Sequence, residues 1–379
     1  MRGGVAVTDT IVLSSNGNDL EGCLKNIVQG FKQVKSKCPA PPVAISFAFP
    51  GPADYPNGII GDLGNLPAFR GGIALGPMLA EKFGIPVFIN NDGDLFTYGE
   101  AIAGLLPHIN DLLAKTGSPK QFKNLIGMTL GTGLGGGIVR AGELFIGDNS
   151  MAGEVWLLRN KFDTKMNAEE GACIRAVRRV YAQQAGIPIQ NAPDPKMIAQ
   201  IARDEKSPNQ DAAIEAYRRL GEVVGDALGQ VLTMVDGLAV IGGGISGAHQ
   251  LFLPALVAEL NGYYQQPDGK KLRRLASTVF NLEDAAQLEK FLKGEAREIF
   301  IPGSARKVSY DSLPRLAVGI SRLGTSEAVA IGAYAFALRK LDSEIVEAPN
   351  FPTGGVGIQL QPLHDLSHKR DESISEMQS

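Results

Sequence analysis

The sequence predicts an α/β protein with a mixed sheet and helices on its faces. Three observations predict it. Strand-like and helix-like segments alternate β-α-β-α-β through the first half, glycines gather at the ends of apolar runs, and a glycine-rich hairpin opens the second half. In order, Val5–Leu13 alternates as a strand does, and Leu20–Lys35 carries apolar residues at Leu20, Leu24, Ile27, Val28, Phe31 and Val34, one face of a helix. Val43–Phe49 reads as a buried strand ending at Pro50-Gly51-Pro52. Ile73–Phe83 follows as a helix, Val87–Ile89 as a strand ending in Asn90-Asn91-Asp92, and Asp94–Gly104 as a helix.

The second half opens with a hairpin at Leu125–Val139 and continues through Phe145. Gly171–Ala185, Pro195–Asp204 and Asp211–Val235 read as helices. Leu238–Ile241 is a strand running into Gly242-Gly243-Gly244, and Gln250–Leu260 the helix after that turn. Residues 261–315 look like an insertion of mixed polarity with a charged helix at Asp284–Lys293. Ser326–Leu341 is an alanine-rich closing helix. From about Asp342 onward, periodicity is lost and a disordered tail, 342–379, is expected.

Bulk properties narrow the function. A length of 379 residues suffices for two domains, and 44% hydrophobic with 20% charged residues suits a soluble globular protein. A net charge of −3 provides no basic field for nucleic acid, and Lys270-Lys271-Leu272-Arg273-Arg274 reads as a solvated loop. Cys23, Cys38 and Cys173 are too scattered for a disulfide framework and suit a reducing cytoplasm. No signal peptide leads the chain, and no apolar run reaches the ~20 residues of a membrane span. The 46 glycines exceed the roughly 7% average usage, and their clustering at strand ends suggests close backbone approach to ligands.

Four motifs carry candidate chemistry. Thr129 to Gly137 holds five glycines and two threonines in nine residues. Glycines at this density allow positive φ and let backbone N–H groups approach an anion, although a tight turn needing glycine for conformation alone would read the same way. Pro50-Gly51-Pro52, with Gly61-Asp62-Leu63-Gly64-Asn65-Leu66-Pro67, sets polar Asn65 at a strand end; as a bare turn it would be equally ordinary. Asn91-Asp92 closes a buried strand, where a carboxylate is well placed as a general base, or where an Asx turn or helix N-cap is expected. Ala152-Gly153-Glu154 offers a glutamate after the hairpin, alternatively a solvated surface acid.

Together, in this order and spacing, these motifs resemble the ROK family of bacterial sugar kinases and related repressors. The likeness continues through Gly99-Glu100, Ile241-Gly242-Gly243-Gly244-Ile245-Ser246 and Leu323-Gly324-Thr325-Ser326, and covers roughly residues 40–340. The resemblance implies an actin/hexokinase-type fold, two RNase H-like lobes around a cleft: 1–92 completed by the helix at about 326–341, and 93–325 with the insertion at about 261–315. It implies ATP- and Mg2+-dependent phosphorylation of a hexose, glucokinase-like, by a cytoplasmic enzyme, with a homodimer plausible for the family and neither nucleic acid nor membrane as partner. Asp92 would be the base, and Asn65, Asn91 and Glu154 would hold sugar hydroxyls. Gly131, Thr132, Gly133, Gly135 and Gly136 would wrap the ATP phosphates, and Gly242, Gly243 and Gly244 would approach the adenosine. Glu169 or Glu170, of which Glu170 is preferred, would add a sugar contact, or serve as an acid at a helix N-terminus.

Two departures stand out. The family usually begins with a strand ending in Asp-x-Gly-Gly-Thr, whereas Met1-Arg2-Gly3-Gly4-Val5 resembles the segment after that motif, the second strand of its hairpin. A truncated start, and with it a missing first strand, is therefore expected, and a non-catalytic or sugar-sensing protein is the alternative. Family repressors carry a helix-turn-helix ahead of the kinase-like part; none is expected here. The family's Cys-rich zinc sequence is also missing: Glu154 is followed by Val155-Trp156-Leu157, and Cys173 is the lone cysteine nearby. No structural zinc is expected. Trp156 is expected to pack in the core.

Overall fold

Regular structure begins at Leu20, not at Val5. The computed structural model describes residues 1–51, 53–61 and 66–347, and over Val5–Leu13 it contains no strand, only a bridge between Arg2 and Val5. Val5 and Val12 are exposed. An alternating sequence becomes a strand only when a ladder satisfies its N–H and C=O groups, and this run pairs with no strand among the described residues.

Helix α1 (Leu20–Lys37) starts at Asp19, whose carboxylate accepts the Gly22 N–H, and it buries Cys23 and Val28. Strands β1 (Ile45–Ala48) and β2 (Val87–Asn90) pair in parallel, Ile45 opposite Val87 and Ala48 opposite Asn90. Between them runs α2 (Leu75–Phe83), stopped by Gly84 at φ 69°. Phe49, Phe69, Leu79 and Ile89 join Cys23 and Val28 in a core separate from the larger one.

The helix expected at Asp94–Gly104 is α3 (Asp92–Ile102), and a further helix that was not expected, α4 (Leu105–Lys115), follows it. Gly104 breaks the run, and the buried Glu100 carboxylate accepts the Leu105 N–H at 2.7 Å, capping the second helix. Glu100 also accepts from Ser321 Oγ and from the Arg322 and Leu323 N–H groups, so it fastens α3 to a segment over two hundred residues away. An alternating pattern could not show that.

The larger core surrounds a six-stranded sheet. Its elements are β3 (Leu125–Leu130), β4 (Leu134–Arg140), β5 (Glu143–Leu144), α5 (Ile174–Ala185), α6 (Pro195–Arg203), α7 (Gln210–Val235), β6 (Leu238–Gly242) and α8 (His249–Leu260). The chain continues through β7 (Tyr263–Gln265), β8 (Lys271–Arg273), β9 (Thr278–Asn281), α9 (Ala285–Lys293), β10 (Ala296–Phe300), β11 (Lys307–Asp311), β12 (Arg315–Ile320) and α10 (Thr325–Glu347). The sheet order is β5-β4-β3-β6-β12-β9; β3, β6, β12 and β9 run parallel to one another, β4 is antiparallel to β3, and β5 antiparallel to β4. The carboxyl ends of β3, β6 and β12 therefore lie along one edge, where open α/β sheets bind ligands.

Residues 261–315 are only in part an insertion. β9 belongs to the main sheet and α9 buries Phe291 in the larger core, while β7–β8 and β10–β11 are two-stranded hairpins of their own. Strand β12, read as nothing in particular from the sequence, is buried between β6 and β9; its run Leu316-Ala317-Val318 was the available signal. Lys270 to Arg273 are exposed as a solvated segment should be, but Arg274 turns inward to ion pairs with Asp226 and Glu259. Met1–Lys340 form one compact unit; of the second, beginning at Leu341, the described part is the end of α10. The tail expected over 342–379 is thus helical as far as Glu347 and otherwise lies outside the described residues. No described helix is long and apolar enough to cross a membrane.

Candidate active site

Strand β2 delivers Asn91 and Asp92 at its carboxyl end. Asn91 is the N-cap of α3: its Oδ1 accepts the Gly93 N–H at 2.7 Å, and its Nδ2 donates to the Tyr55 hydroxyl at 3.4 Å. Tyr55 in turn donates to the Phe49 carbonyl at 2.9 Å, and burial raises its phenol pKa. The cap expected of an Asn-Asp pair thus falls on Asn91. Asp92 is the first residue of α3, exposed, with Oδ1 accepting the Gly93 N–H at 2.9 Å.

Close backbone packing brings Asp92 to the glycine hairpin. A Cβ on Gly93 would lie 2.4 Å from the Gly136 carbonyl oxygen, and one on Gly137 would lie 2.6 Å from that of Gly93. Gly153, at φ 88°, approaches Gly137 from the other side, which carries Glu154 to the same place. None of Gly131 to Gly137 adopts positive φ. Of the two uses expected of these glycines, positive φ is absent, and the close approach is made in β4 to other backbones of the chain. Such packing is possible only without side chains.

At the hairpin tip the loop Gly131–Gly133 is held from one side. Ile174 N–H donates to the Gly131 carbonyl at 2.9 Å and Arg175 Nη1 to the Thr132 carbonyl at 3.1 Å, while Glu169 Oε2 accepts the Leu134 N–H at 3.0 Å. The Thr132 and Gly133 N–H groups find no partner among the described residues, and nothing stands within 4 Å of a Cβ built on Gly131. Glu170 is bound by Arg175 Nη2 at 2.6 Å and Arg179 Nη1 at 3.2 Å; the Arg175 hydrogen bond, more than any other contact, lowers its pKa.

Glu154 is half-buried and accepts a hydrogen bond from the Trp156 indole. Trp156 packs against the larger core, as expected, but also orients this carboxylate, which two residues of spacing did not reveal. Asp94 went unnoticed in the sequence. It is 2% exposed, and its Oδ1 has no partner among the described residues. Burial, and then the charges of Glu154 and Asp92, push its carboxyl well above the usual range.

A raised carboxyl pKa has a definite sign. Unfolded Asp94 releases its proton near pH ~4 while the folded protein keeps it, so this residue's contribution falls as pH rises toward the folded pKa. Asp94→Asn, which keeps the neutral shape, should melt higher than the parent at pH 8, with the difference vanishing toward pH 4. Thermal unfolding across that range tests this; identical pH profiles in the two proteins would contradict it.

The second glycine run meets the first along the sheet edge, with Thr129 of β3 opposite Gly242 of β6. A Cβ on Gly242 would strike the Phe96 ring at 2.5 Å, and one on Gly243 (φ 86°) the Leu130 carbonyl oxygen at 2.3 Å. Gly244 alone faces open space. The Gly243 N–H donates to Thr325 Oγ1 at 2.9 Å, so the residue starting α10 braces this turn. Asn65 lies outside the described residues. No group of three or more His, Cys, Asp or Glu side chains among the described residues is placed to hold a metal ion.

The ROK family model matches residues 12–286. This chain belongs to the ROK family. Over 235 residues the ROK chain is 28% identical to the N-acetyl-D-glucosamine kinase of Photobacterium profundum, covering 57% of this chain and 70% of that protein. It is 31% identical over 147 residues to the glucokinase of Thermotoga maritima, a match spanning 40% of that relative's length. Among solved structures, the glucokinase of Parabacteroides distasonis superposes with a TM-score of 0.82 at 50% identity, over 89% of this chain and 93% of that one. The ROK glucokinase of Streptomyces griseus, solved with glucose and AMPPNP, shares the fold at TM-score 0.54 and 19% identity, over 85% and 89% of the two chains. The fold is that of the ROK kinases, the actin/hexokinase type.

Proposed function

We propose that this ROK protein transfers the γ-phosphoryl group of ATP to a hydroxyl of a hexose, in the cytoplasm. One observation carries the reading: Gly93 packs on Gly136, which sets a helix-terminal carboxylate, Asp92, beside the hairpin whose tip has two N–H groups without partners among the described residues. Phosphoryl transfer needs chiefly positioning and charge stabilisation, and these two parts supply them.

In this reading Asp92 accepts the proton of the attacking hydroxyl. Glu154, oriented by Trp156, and Glu170, kept ionised by its arginines, accept hydrogen bonds from other hydroxyls; Asn91 and Asn65 complete the sugar contacts. The Thr132 and Gly133 N–H groups face the phosphates, and Gly131, with open space where a Cβ would be, lets the backbone come close; Gly135 and Gly136 continue the wall. Of the second run, Gly244 is open to the adenosine, while Gly242 and Gly243 are glycine for internal packing. The residues thus fit a nucleotide, and magnesium bound to its phosphates would neutralise their charge. ADP release measured over a panel of hexoses that includes glucose and N-acetylglucosamine tests the proposal. Sugar binding without ADP release would favour a sugar-sensing role.

A further inference from the structure

We propose that the Glu169–Arg175 ion pair is a positioning device that sets the affinity of the Gly131–Gly133 loop for nucleotide phosphates. The inference rests on reading that loop as the phosphate site. Glu169 Oε1 lies 2.7 Å from Arg175 Nη2, and the pair grips the loop at two points, the Leu134 N–H and the Thr132 carbonyl. A third grip, from the Ile174 N–H to the Gly131 carbonyl, comes from the start of the same helix, α5.

The peptide bond explains what this accomplishes. In a trans peptide the C=O and the following N–H point in opposite directions within one plane. Anchoring the Gly131 carbonyl to α5 therefore aims the Thr132 N–H away from α5, and anchoring the Thr132 carbonyl does the same for the Gly133 N–H. These are the two loop N–H groups without partners among the described residues. The Leu134 N–H, taken by Glu169, belongs to the plane whose carbonyl, Gly133 O, accepts the Gly131 N–H at 3.0 Å. All three planes at the tip are fixed, and two are left presenting donors in succession, the arrangement of an anion-binding nest. A Cβ on Gly133 would lie 2.5 Å from Glu169 Oε2, so a side chain there would push Glu169 off its grip on the loop.

Among the described residues, Arg175 is the only side chain anchoring one of the two donor-bearing planes, so its removal should loosen the Gly133 N–H. Because Arg175 also binds Glu170, Glu169→Gln is the variant that leaves the proposed sugar contacts in place. In the full chain, Arg175→Met and Glu169→Gln should each raise the ATP Kd and the KM for ATP roughly tenfold, the scale of one lost charge-assisted hydrogen bond. The hexose KM of Glu169→Gln should stay within about twofold, and Arg175→Lys, which retains one donor, should recover part of the loss in ATP affinity. Calorimetric titration with ATP and steady-state kinetics read these out, with thermal unfolding alongside. Parent-like ATP affinity in both variants would overturn the device while leaving the kinase reading intact. In Glu169→Gln, ATP and hexose affinities falling together with thermal stability would reduce the pair to a folding contact, also overturning it. If the parent itself binds no ATP, the phosphate-site reading fails, and the inference fails with it.

Discussion

Asp92→Asn should lower kcat for hexose phosphorylation about a hundred- to ten-thousandfold, the contribution of a well-placed general base. The hexose Kd and the melting temperature should change little. The asparagine side chain keeps an oxygen to accept the Gly93 N–H, and the N-cap of α3 is Asn91, which the substitution leaves in place. What disappears is the capacity to take a proton. Separate determination of kcat by ADP release and of hexose Kd by calorimetry distinguishes this from a binding defect. Undiminished turnover would remove Asp92 from the reaction.

Gly93→Ala should be the more damaging change to the fold. Its Cβ would lie 2.4 Å from the Gly136 carbonyl oxygen and 2.9 Å from the Gly136 nitrogen, both backbone atoms within a paired strand. Helix α3 must lift from β4, and overpacking of this kind costs about 1–3 kcal/mol. Because Asp92 is the preceding residue, activity should fall together with stability. Gly131→Ala is the informative contrast. Gly131 is not at positive φ, and no atom stands within 4 Å of the new methyl, so stability should hold within about 0.5 kcal/mol while ATP binding weakens. Urea unfolding of the two variants measures the difference; equal destabilisation would contradict the close approach at Gly93.

Local chemistry was legible in the sequence, and distant partnership was not. The period of Leu20, Leu24, Ile27 and Phe31 announced α1, and the hairpin at Leu125–Val139 lies where its apolar runs put it. Val5–Leu13 has an equally good alternating pattern but no ladder to join among the described residues, so the pattern alone was insufficient. Strand β12 was missed because its six residues sit between an exposed hairpin and the closing helix, and its place is decided by β6 and β9.

At the candidate site the sequence offered two uses for the glycines, positive φ and close backbone approach, and the structure shows the second, between parts of the chain itself. Gly136 and Gly137 serve contact with Gly93, a residue more than forty positions earlier, not a left-handed turn. Asp94 escaped notice because nothing in Asn91-Asp92-Gly93-Asp94 says that the fourth residue turns inward, toward the charges of Glu154 and Asp92. Glu169 and Glu170 look alike in sequence. Only the position of α5 separates the one that grips the Leu134 N–H from the one bound by two arginines.

The most direct test of the account is the product itself. The protein, incubated with ATP, magnesium and a hexose, should yield a sugar heavier by one phosphoryl group, with one ADP formed per sugar converted, as read by mass spectrometry. ADP formed without a phosphorylated sugar, or sugar and ATP both bound with neither altered, would contradict it.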